Sequence, residues 1–581
     1  MTARELITEH LDLWTGAVTK KLSSGRGSNG KVELTGVKKL RELILELAVR
    51  GKLVTQDKDD EPVSLLLKKI ESEKSAQLKA KAIRKPKKLP EIQEIEQPFP
   101  IPVSWRYCRL NELGVWGSGA TPKRGNSHYY GGGIPWFKSG ELYKDFIDSS
   151  EETITELAVQ ETSVRMNQPG DVLIAMYGAT IGKASILEVA GTTNQAVCAC
   201  TPWPGISNRF LLLLLKAYRS RFIAMGAGGA QPNISREKII ATVIGLPPEE
   251  EQHRIVQKVD ELMALCDRLE QQTSDQLEAH ETLVDTLLGT LTQSENATEL
   301  ADNWARLAAH FDTLFTTEQS IDKLKQTILQ LAVMGQLVEQ LPSDGNSSAL
   351  LKEIADEKKR LTETGVLKRK KRSSTQTAGE FFSVPPSWAW TTTNDICTQI
   401  TDGEHNTPER TADPFAIPLA TAKNVRDGYI DLAETDFVPH CVAAACWNRC
   451  KPEVGDILMV SVGATLGRLA LVRHPQEMVL VRSVTLLRPI KVLGDYLAIY
   501  LRAPTTQSWI WQNVRQSAQP CLYLSRSSSI PVSVPPLLEQ HRIVQKVDEL
   551  MALCDRLKER LYQASETRCQ IAEAVTDGVL R

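Results

Sequence analysis

The stretch YGATIGKAS around Gly178 is the part of the chain whose residue types come nearest to a phosphate-binding motif. Such a loop needs a glycine five positions before its Gly-Lys pair and a serine or threonine after the lysine. Tyr177 and Ala184 stand at those two places, and the related GATLGR at Gly463 has no lysine. Both copies therefore predict a tight turn between two strands and no nucleotide site.

The other motifs that would indicate catalysis are absent from the sequence. There is no Asp/Asn-Pro-Pro-aromatic signature of an adenine methyltransferase, and no HExxH, GxSxG or strand-linked GxGxxG pattern. Cys441, Cys446 and Cys450 invite a zinc interpretation, but their spacing fits no common site. We expect a non-catalytic chain that holds no metal and no cofactor.

Composition is that of an ordinary globular protein, with 42% hydrophobic and 24% charged residues. A chain of 581 residues is too long for a single core, so more than one domain is expected. No apolar run reaches the roughly 18 residues that cross a bilayer. Eleven cysteines without a CxxC pair favour a reducing cytoplasm over a disulfide-bonded exterior.

The sequence contains an internal repeat. EQHRIVQKVDELMALCDRL begins at Glu251 and again, unchanged, at Glu539. Upstream, KLRELILELAVRGKLVTQ from Lys39 matches KLKQTILQLAVMGQLVEQ from Lys323, and GATIG at Gly178 matches GATLG. The offset stays between 283 and 288, so two copies of one unit lie in register. The helical parts have stayed alike while the parts between them have diverged.

The repeated segment predicts a long helix. Its apolar residues follow a heptad seam, and Pro247, Pro248 and three glutamates mark the start. A helix of about 40 residues would extend roughly 60 Å. The leading helix around Leu40 carries extra apolar residues, Leu43 and Ala48, and is expected to pack on two sides. The seam positions are Ile255, Val259, Leu262, Cys266 and Leu269, and Ile543, Val547, Leu550, Cys554 and Leu557.

The predicted fold class is α+β: two mixed α/β domains joined by two long helical regions packed as an antiparallel coiled coil, with an internal pseudo-twofold repeat. Strand-like runs such as DVLIAMYG lie between glycine and proline turns in the mixed parts. The expected segments are an N-terminal helical extension 1–36, a helical segment 37–80, a linker 81–97, a first mixed segment 98–248, a central helical region 249–365, a linker 366–380, a second mixed segment 381–536 and a C-terminal helical region 537–581.

These segments differ in their balance of acidic and basic side chains. Residues 249–299 contain 13 acidic and 3 basic side chains, whereas residues 98–248 contain 14 basic and 11 acidic ones. Residues 381–536 are balanced at 13 of each sign. The acidic helical region is expected to avoid phosphate, while the mixed segments tolerate it.

These features together resemble the specificity (S) subunit of Type I DNA restriction–modification systems along nearly the full length. The resemblance rests on segments that occur in the family's order and are partly doubled. They are GATPKRGNSHYYGGGIPWFKSGEL from Gly119, PGDVLIAMYGATIGKASIL from Pro169, TNQAV from Thr193, GAQPNIS from Gly229 and LPPEEEQHRIVQKVDEL from Leu246.

The resemblance implies a DNA-recognition subunit that is not itself an enzyme. Two target-recognition domains would each read one half of a split, asymmetric site in double-stranded DNA, and the helices would fix the gap. The helices would also dock two modification (M) subunits, which methylate adenine N6 with S-adenosylmethionine. Restriction (R) subunits, with ATP and Mg, would complete the complex. The alternative is a scaffold whose two domains bind proteins and have no DNA role.

Base readout needs polar side chains on loops that reach the major groove. Thr121 and Thr407 precede a proline in both copies, so each also has a simpler role in shaping a turn. The predicted DNA-binding residues of the first mixed segment are Thr121, Lys123, Arg124, Asn126, Ser127, Tyr129, Lys138, Asn194, Gln195, Gln231, Asn233, Ser235 and Arg236. Those of the second are His405, Asn406, Thr407, Lys423, Asn424, Arg426, Arg482, Ser483, Gln519, Ser525 and Arg526.

Polar identities in the repeated helix are candidates for docking the M subunits, because heptad burial accounts only for the apolar ones. A recent recombination that copied one segment is the alternative cause. The predicted partner-binding residues are Glu251, Gln252, His253, Arg254, Gln257, Lys258 and Asp260, with Glu539, Gln540, His541, Arg542, Gln545, Lys546 and Asp548.

Overall fold

The computed structural model describes residues 10–20, 32–83, 89–226, 232–294, 297–367, 380–515 and 519–580. The chain forms two compact units. Unit 1 contains residues 1–23, 29–275 and 565–581, and unit 2 contains residues 24–28 and 276–564.

The helices follow the predicted order. Unit 1 contains α1 (Leu11–Gly16), α2 (Thr35–Val49), α3 (Val63–Lys79), α4 (Glu156–Glu161), α5 (Asn208–Ala217), α6 (Arg219–Met225) and α7 (Arg236–Ala241). The first long helix is α8 (Glu249–Thr292). Unit 2 contains α9 (Ala297–Ala309), α10 (Phe311–Leu314), α11 (Glu318–Val333), α12 (Ser347–Glu363), α13 (Thr393–Ile396), α14 (His440–Trp447), α15 (Gly494–Arg502), α16 (Pro504–Gln512) and α17 (Leu524–Ser528). The second long helix is α18 (Leu537–Leu580).

The strands of unit 1 form a five-stranded sheet of order β4-β11-β8-β9-β6, a three-stranded sheet β10-β5-β7 and two antiparallel pairs, β1-β2 and β3-β12. Most pairs are antiparallel, but β6-β9 and β5-β10 are parallel. The strands are β1 (Thr19–Lys20), β2 (Val32–Glu33), β3 (Arg106–Arg109), β4 (Gly114–Ser118), β5 (Tyr130–Phe137), β6 (Phe146–Ile147), β7 (Thr153–Ile154), β8 (Val172–Ala175), β9 (Ala184–Leu187), β10 (Thr192–Thr193), β11 (Val197–Pro202) and β12 (Val243–Leu246).

Unit 2 repeats this topology although its mixed segment has diverged in sequence. The order β14-β20-β17-β18 corresponds to β4-β11-β8-β9, the sheet β16-β15-β19 to β7-β5-β10, and the pair β13-β21 to β3-β12. The parallel pair recurs as β15-β19. The strands are β13 (Ala389–Thr392), β14 (Cys397–Asp402), β15 (Ile417–Ala420), β16 (Asp436–Val438), β17 (Ile457–Val460), β18 (Leu469–Leu471), β19 (Val479–Leu480), β20 (Val484–Pro489) and β21 (Pro531–Val534).

The central strands are buried on both faces, which explains their continuous apolar sequences. Every residue of β8 and of β17 is buried. A short 3-10 turn at Gly178–Thr180 joins β8 to β9, so the predicted strand–turn–strand is confirmed. Two mixed α/β domains and long helices packed together are confirmed as the fold class, while the antiparallel arrangement of the helical regions stays a prediction.

Each short leading helix contacts parts of both long helices within its own unit. In unit 1, Arg41 of α2 pairs with Asp267 of α8 at 2.7 Å, and Lys39 lies 3.7 Å from Glu573 of α18. In unit 2, Lys323 of α11 pairs with Asp285 of α8 at 2.6 Å. Asp322 and Lys558 of α18 are 2.9 Å apart.

Buried apolar side chains complete this packing. In α2 the predicted residues Leu40, Leu43 and Ala48 are all buried, so packing on two sides is confirmed. Four of the five seam positions of α8 are buried, and three of those of α18.

The described part of the N-terminal segment is only partly helical. Among the described residues before α2, only α1 is helical, and β1 and β2 form a two-residue antiparallel ladder. The hydrogen bond at the start of α1 recurs in unit 2. The carbonyl oxygens of His10 and His310 each accept a hydrogen bond from the backbone N–H three residues later. Residues 21–31 lie outside the described residues, as do 84–88 and 368–379 of the two linkers. Within the described ranges, no helix is both long and apolar enough to cross a membrane.

Candidate nucleic-acid interface

Three loops meet at the end of strand β8 in unit 1. The N–H of Met176 donates to the carbonyl of Ala196 at 2.8 Å, and the N–H of Ile234 donates to the carbonyl of Met176 at 2.9 Å. The loop after β4 joins them, because Ala120 donates to Thr193 at 3.0 Å and the Thr121 hydroxyl donates to Gln195. We call this surface of residues 119–129, 176–183, 194–196 and 232–236 the loop edge of unit 1.

Unit 2 builds the same junction with different side chains. Ser461, at the end of β17, receives the N–H of Leu522 and donates its own to Ser483, both at 2.9 Å. The loop after β14 joins through Glu404, which donates to Leu480 at 2.8 Å. The loop edge of unit 2 consists of residues 403–408, 461–468, 481–483 and 519–526.

Most predicted DNA-binding residues of unit 1 lie on or beside its loop edge. Asn126 caps the 3-10 turn of the first loop, where its side chain accepts from the N–H of His128 at 3.1 Å. Gln231 lies outside the described residues. Exposed members are Thr121, Lys123, Arg124, Ser127, Gln195, Asn233 and Ser235, and half-buried ones are Asn126, Tyr129, Lys138, Asn194 and Arg236.

In unit 2 most predicted DNA-binding residues lie at the surface, and one is corrected. Asn424 is only 2% exposed, and its amide binds Thr421 and the carbonyl of Asp431, so it shapes a loop and presents nothing to DNA. Exposed members are His405, Asn406, Thr407, Lys423, Arg482, Gln519, Ser525 and Arg526, and half-buried ones are Arg426 and Ser483.

A carboxylate holds basic side chains in place in each mixed segment. In unit 1, Arg124 and Lys138 donate to Glu152 at 2.6 and 3.1 Å, and Arg124 above all holds the pKa of Glu152 below its usual range. In unit 2, Arg449 and His405 bind Asp402. Burial acts to raise the pKa of Asp402, but these two partners outweigh it and lower the pKa.

Other cations on these surfaces are open to a ligand. Lys123, Lys423, Arg482 and Arg526 have no side-chain acceptor among the residues that the structure describes. An exposed cation without an internal partner suits contact with a phosphate or a base edge. Each mixed segment therefore contains both cations that are held by an internal carboxylate and exposed cations that have no internal acceptor among the described residues.

Sequence reasoning missed several residues of this surface. Glu152, Asp402 and Arg449 are brought to the predicted loops only by the fold, since Arg449 follows His405 by 44 positions. Tyr177 and Tyr523 are exposed aromatic side chains at the two loop edges, each 43% exposed. The only signal was their position beside predicted motifs, in YGATIG and in the segment after Gln519.

The polar identities of the repeated helix have an intramolecular role. Glu251 accepts the indole N–H of Trp105 at 2.9 Å and the amide of Gln56 at 2.7 Å. In unit 2, Glu539 accepts from Trp388 at 3.0 Å and from Gln340 at 2.6 Å. The start of each long helix is thereby tied to the first strand of its mixed segment and to the loop after the leading helix.

The next positions continue the same pattern. Gln252 accepts from the N–H of Ser207 at 2.9 Å, and Gln540 accepts from that of Leu493 at 3.0 Å. Arg254 pairs with Asp60, and Arg542 pairs with Asp344, through two bonds each. We call the two sets sockets. Socket 1 is Gln56, Asp60, Trp105, Glu251, Gln252 and Arg254, and socket 2 is Gln340, Asp344, Trp388, Glu539, Gln540 and Arg542.

The sockets correct part of the docking prediction. Glu251, Gln252, Glu539 and Gln540 are at most 1% exposed, so a partner cannot reach their side chains in this structure. Burial raises the pKa of both glutamates above the usual range, although the bonds from tryptophan and glutamine oppose it. Their identity in the two copies follows from the same internal bonds being needed twice.

The remaining docking candidates stay at the surface. His253, Gln257 and Asp260 are exposed, as are His541, Gln545 and Asp548. Lys258 and Lys546 are half-buried and pair with glutamates three positions on, and Asp260 pairs with Arg209 at 2.7 Å. Across the described ranges, no group of three histidine, cysteine, aspartate or glutamate side chains is arranged to hold a metal ion.

The family model of the Type I restriction modification DNA specificity domain matches residues 102–279 and 448–566. The chain is 34% identical to the EcoEI specificity subunit of Escherichia coli over 604 residues and 34% identical to the EcoAI specificity subunit of the same organism over 600, covering 100% of each chain. The HsdS subunit from Thermoanaerobacter tengcongensis is 17% identical, with a TM-score of 0.39 over 84% of this chain and 99% of that one.

The chain belongs to the family of DNA specificity subunits of Type I restriction–modification systems. It is a non-catalytic part of a Type I restriction–modification complex and carries no cofactor of its own.

Proposed function

We propose that residues 98–248 and 381–536 are two target-recognition domains, each reading one half of a bipartite, asymmetric DNA site through its loop edge. One observation carries the proposal: the two loop edges share a backbone frame but present different side chains. A common frame places both surfaces alike on a duplex, while different side chains give different base preferences.

The long helices supply the second part of the proposal. A helix of 44 residues, such as α8, is about 66 Å long, whereas half-sites one helical turn apart lie about 34–36 Å apart. The acidic helical region 249–365 would not attach to the phosphates between the half-sites. We assign it, with 37–80 and 537–581, to the spacer that fixes the gap.

The exposed polar residues of the repeated helix support docking of partner subunits. His253, Gln257 and Asp260 recur as His541, Gln545 and Asp548, and the sockets do not use their side chains. Two copies of one surface suit two copies of one partner. We assign these surfaces to two M subunits carrying S-adenosylmethionine, through which R subunits with ATP and Mg join the complex. The eleven free thiols fit the reducing cytoplasm, where the DNA lies.

The experiment is to co-express the chain with its M partner in a host without N6-methyladenine and to map methylation across the genome. The expected result is a motif of two short halves with a fixed gap. Exchange of residues 98–248 for the same segment of a relative should change one half and leave the other half and the gap unchanged.

A stable complex with the M partner but without any methylated motif would contradict the proposal. That result would favour the scaffold interpretation, in which the two mixed segments bind proteins. Exchange of residues 98–248 that altered both halves would contradict the assignment of one half-site to each domain.

A further inference from the structure

Arg124 is an exposed arginine on the loop edge of unit 1, and its neighbours hold its side chain in one orientation. Its Cζ atom lies 4.9 Å from the ring centroids of both Tyr130 and Trp136, whose rings meet edge to face at 6.0 Å. Its side chain is nevertheless 55% exposed. Two aromatic rings and a carboxylate restrict the guanidinium, so little rotamer freedom remains to be lost on binding.

The bonds to Glu152 leave most of the guanidinium unused. Nη1 donates to Glu152 at 2.6 Å and Nη2 donates at 3.5 Å. Since a guanidinium has five N–H donors, three have no acceptor among the residues that the structure describes. Recognition of guanine in the major groove uses two such donors, directed at O6 and N7.

Glu152 is itself held in place. Lys138 donates to its carboxylate at 3.1 Å, while its backbone carbonyl accepts from Trp136 N–H at 3.0 Å and from the Ser150 hydroxyl at 2.6 Å. The carboxylate is therefore a fixed acceptor on one side of the guanidinium and does not compete for its free donors.

The geometry points to Arg124 as the residue that reads a guanine in the half-site of the first domain, with Glu152 as its positioning residue. This inference rests on the proposed function and makes it specific: one G·C pair of that half-site is recognised by a bidentate arginine. Lysine at this position keeps the charge but cannot supply the planar pair of donors.

The test is Arg124→Lys in the complete complex, read by mapping N6-methyladenine. Discrimination for guanine at one position of one half-site should fall about tenfold or more, with the other half-site unchanged. Glu152→Gln should weaken the same position, and Glu152→Asp, which retains the charge, should restore part of it. The matched control is Arg221→Lys, because Arg221 also stacks on two rings, Phe99 and Tyr218, away from the loop edge.

Three outcomes would overturn parts of this inference. A uniform loss of methylation over all sequences would mean that Arg124 contacts phosphate. An unchanged motif in a complex of normal yield would mean that the pair only shapes the loop. If the unsubstituted chain produced no bipartite motif, the proposed function itself would fail, so the two failures are distinguishable.

Discussion

Glu251 and Glu539 are acidic side chains in the protein interior, and each accepts hydrogen bonds from one tryptophan and one glutamine. A buried donor that loses its acceptor costs about 1–3 kcal/mol. Each glutamate therefore matters more to stability than a surface charge at the same place in the helix would. Each glutamate anchors the start of its long helix, and the burial of its charge lowers the stability that these hydrogen bonds provide.

Truncation of this anchor should destabilise its unit. We expect Glu251→Ala to lower the free energy of unfolding by about 2–3 kcal/mol, because Trp105 and Gln56 lose their acceptor. Urea unfolding of the complete chain measures it. Glu250→Ala is the control, since Glu250 is exposed and should change stability by less than about 1 kcal/mol. Equal effects of the two substitutions would contradict the anchoring role.

The pH dependence of this site has a definite sign. Burial raises the pKa of Glu251 in the folded state, so the folded chain binds the proton more tightly than the unfolded one. Stability from this group then increases as the pH falls through the raised pKa toward the ordinary value of about 4.3. Since Gln does not titrate, wild type should gain stability relative to Glu251→Gln as the pH is lowered from about 8 to 5. Chemical unfolding of the two proteins at several pH values measures this difference, and a difference that does not change with pH would contradict it.

At the scale of elements, the short leading helices and the turns that follow them determine how closely neighbouring segments pack within each unit. Gly36, in the first turn of α2, is packed so closely against α1 that an added Cβ would lie 2.2 Å from the carbonyl oxygen of Trp14. Gly51 and Gly335 each end a leading helix at positive φ, with a proline ring against the position of a Cβ. Glycine is needed at these places because the backbones and rings approach so closely.

Two glycine substitutions should have opposite effects. Gly36→Ala should destabilise unit 1 by about 1–3 kcal/mol, because backbone atoms of α1 must shift. Gly289→Ala in α8 meets nothing within 4 Å and should stabilise by about 0.5–1 kcal/mol through helix propensity. Urea unfolding of both variants provides the measurement. A neutral Gly36→Ala would mean that α1 does not pack on α2.

The helical elements were predictable because their periodicity, proline starts and repetition are local signals. The starts of α8 and α18, most of the buried seam and the turn at Gly178 follow from the sequence, whereas the end of α8 at Thr292 does not. The sockets were not predictable, because Trp105 and Glu251 are 146 positions apart and no local pattern links them. For the same reason, the loops of the candidate interface could be named, but the partners of Arg124 and His405 could not.

At the scale of the whole molecule, the sequence carries a net charge of −2, and the two loop edges together contain only seven of its 69 lysines and arginines. Binding to DNA through few phosphates gives a shallow dependence on salt, since each neutralised phosphate adds about 0.9 to the slope. We therefore expect the isolated chain to bind DNA phosphates weakly and the complex to supply further phosphate contacts.

Salt dependence should therefore separate the chain from its complex. We expect the slope of log K against log salt for a DNA duplex carrying the mapped motif to be at least twice as steep for the complex with M subunits as for the chain alone. Fluorescence anisotropy between about 50 and 200 mM salt is the measurement, with a scrambled duplex as control. Equal slopes would mean that this chain makes most of the phosphate contacts itself.

The two sockets have a consequence for inheritance. Because the same tryptophan, glutamate, glutamine, arginine and aspartate types hold both mixed segments, we expect either socket to accept either mixed segment. Both mixed segments have near their start a Pro-x-Ser-Trp sequence that supplies the tryptophan of the socket. The duplicated stretches that encode the two sockets also provide matching sequences at which recombination can occur. If each mixed segment reads one half-site as proposed, we expect a single exchange to replace or transpose one half of the recognised DNA site while the helical frame is inherited unchanged.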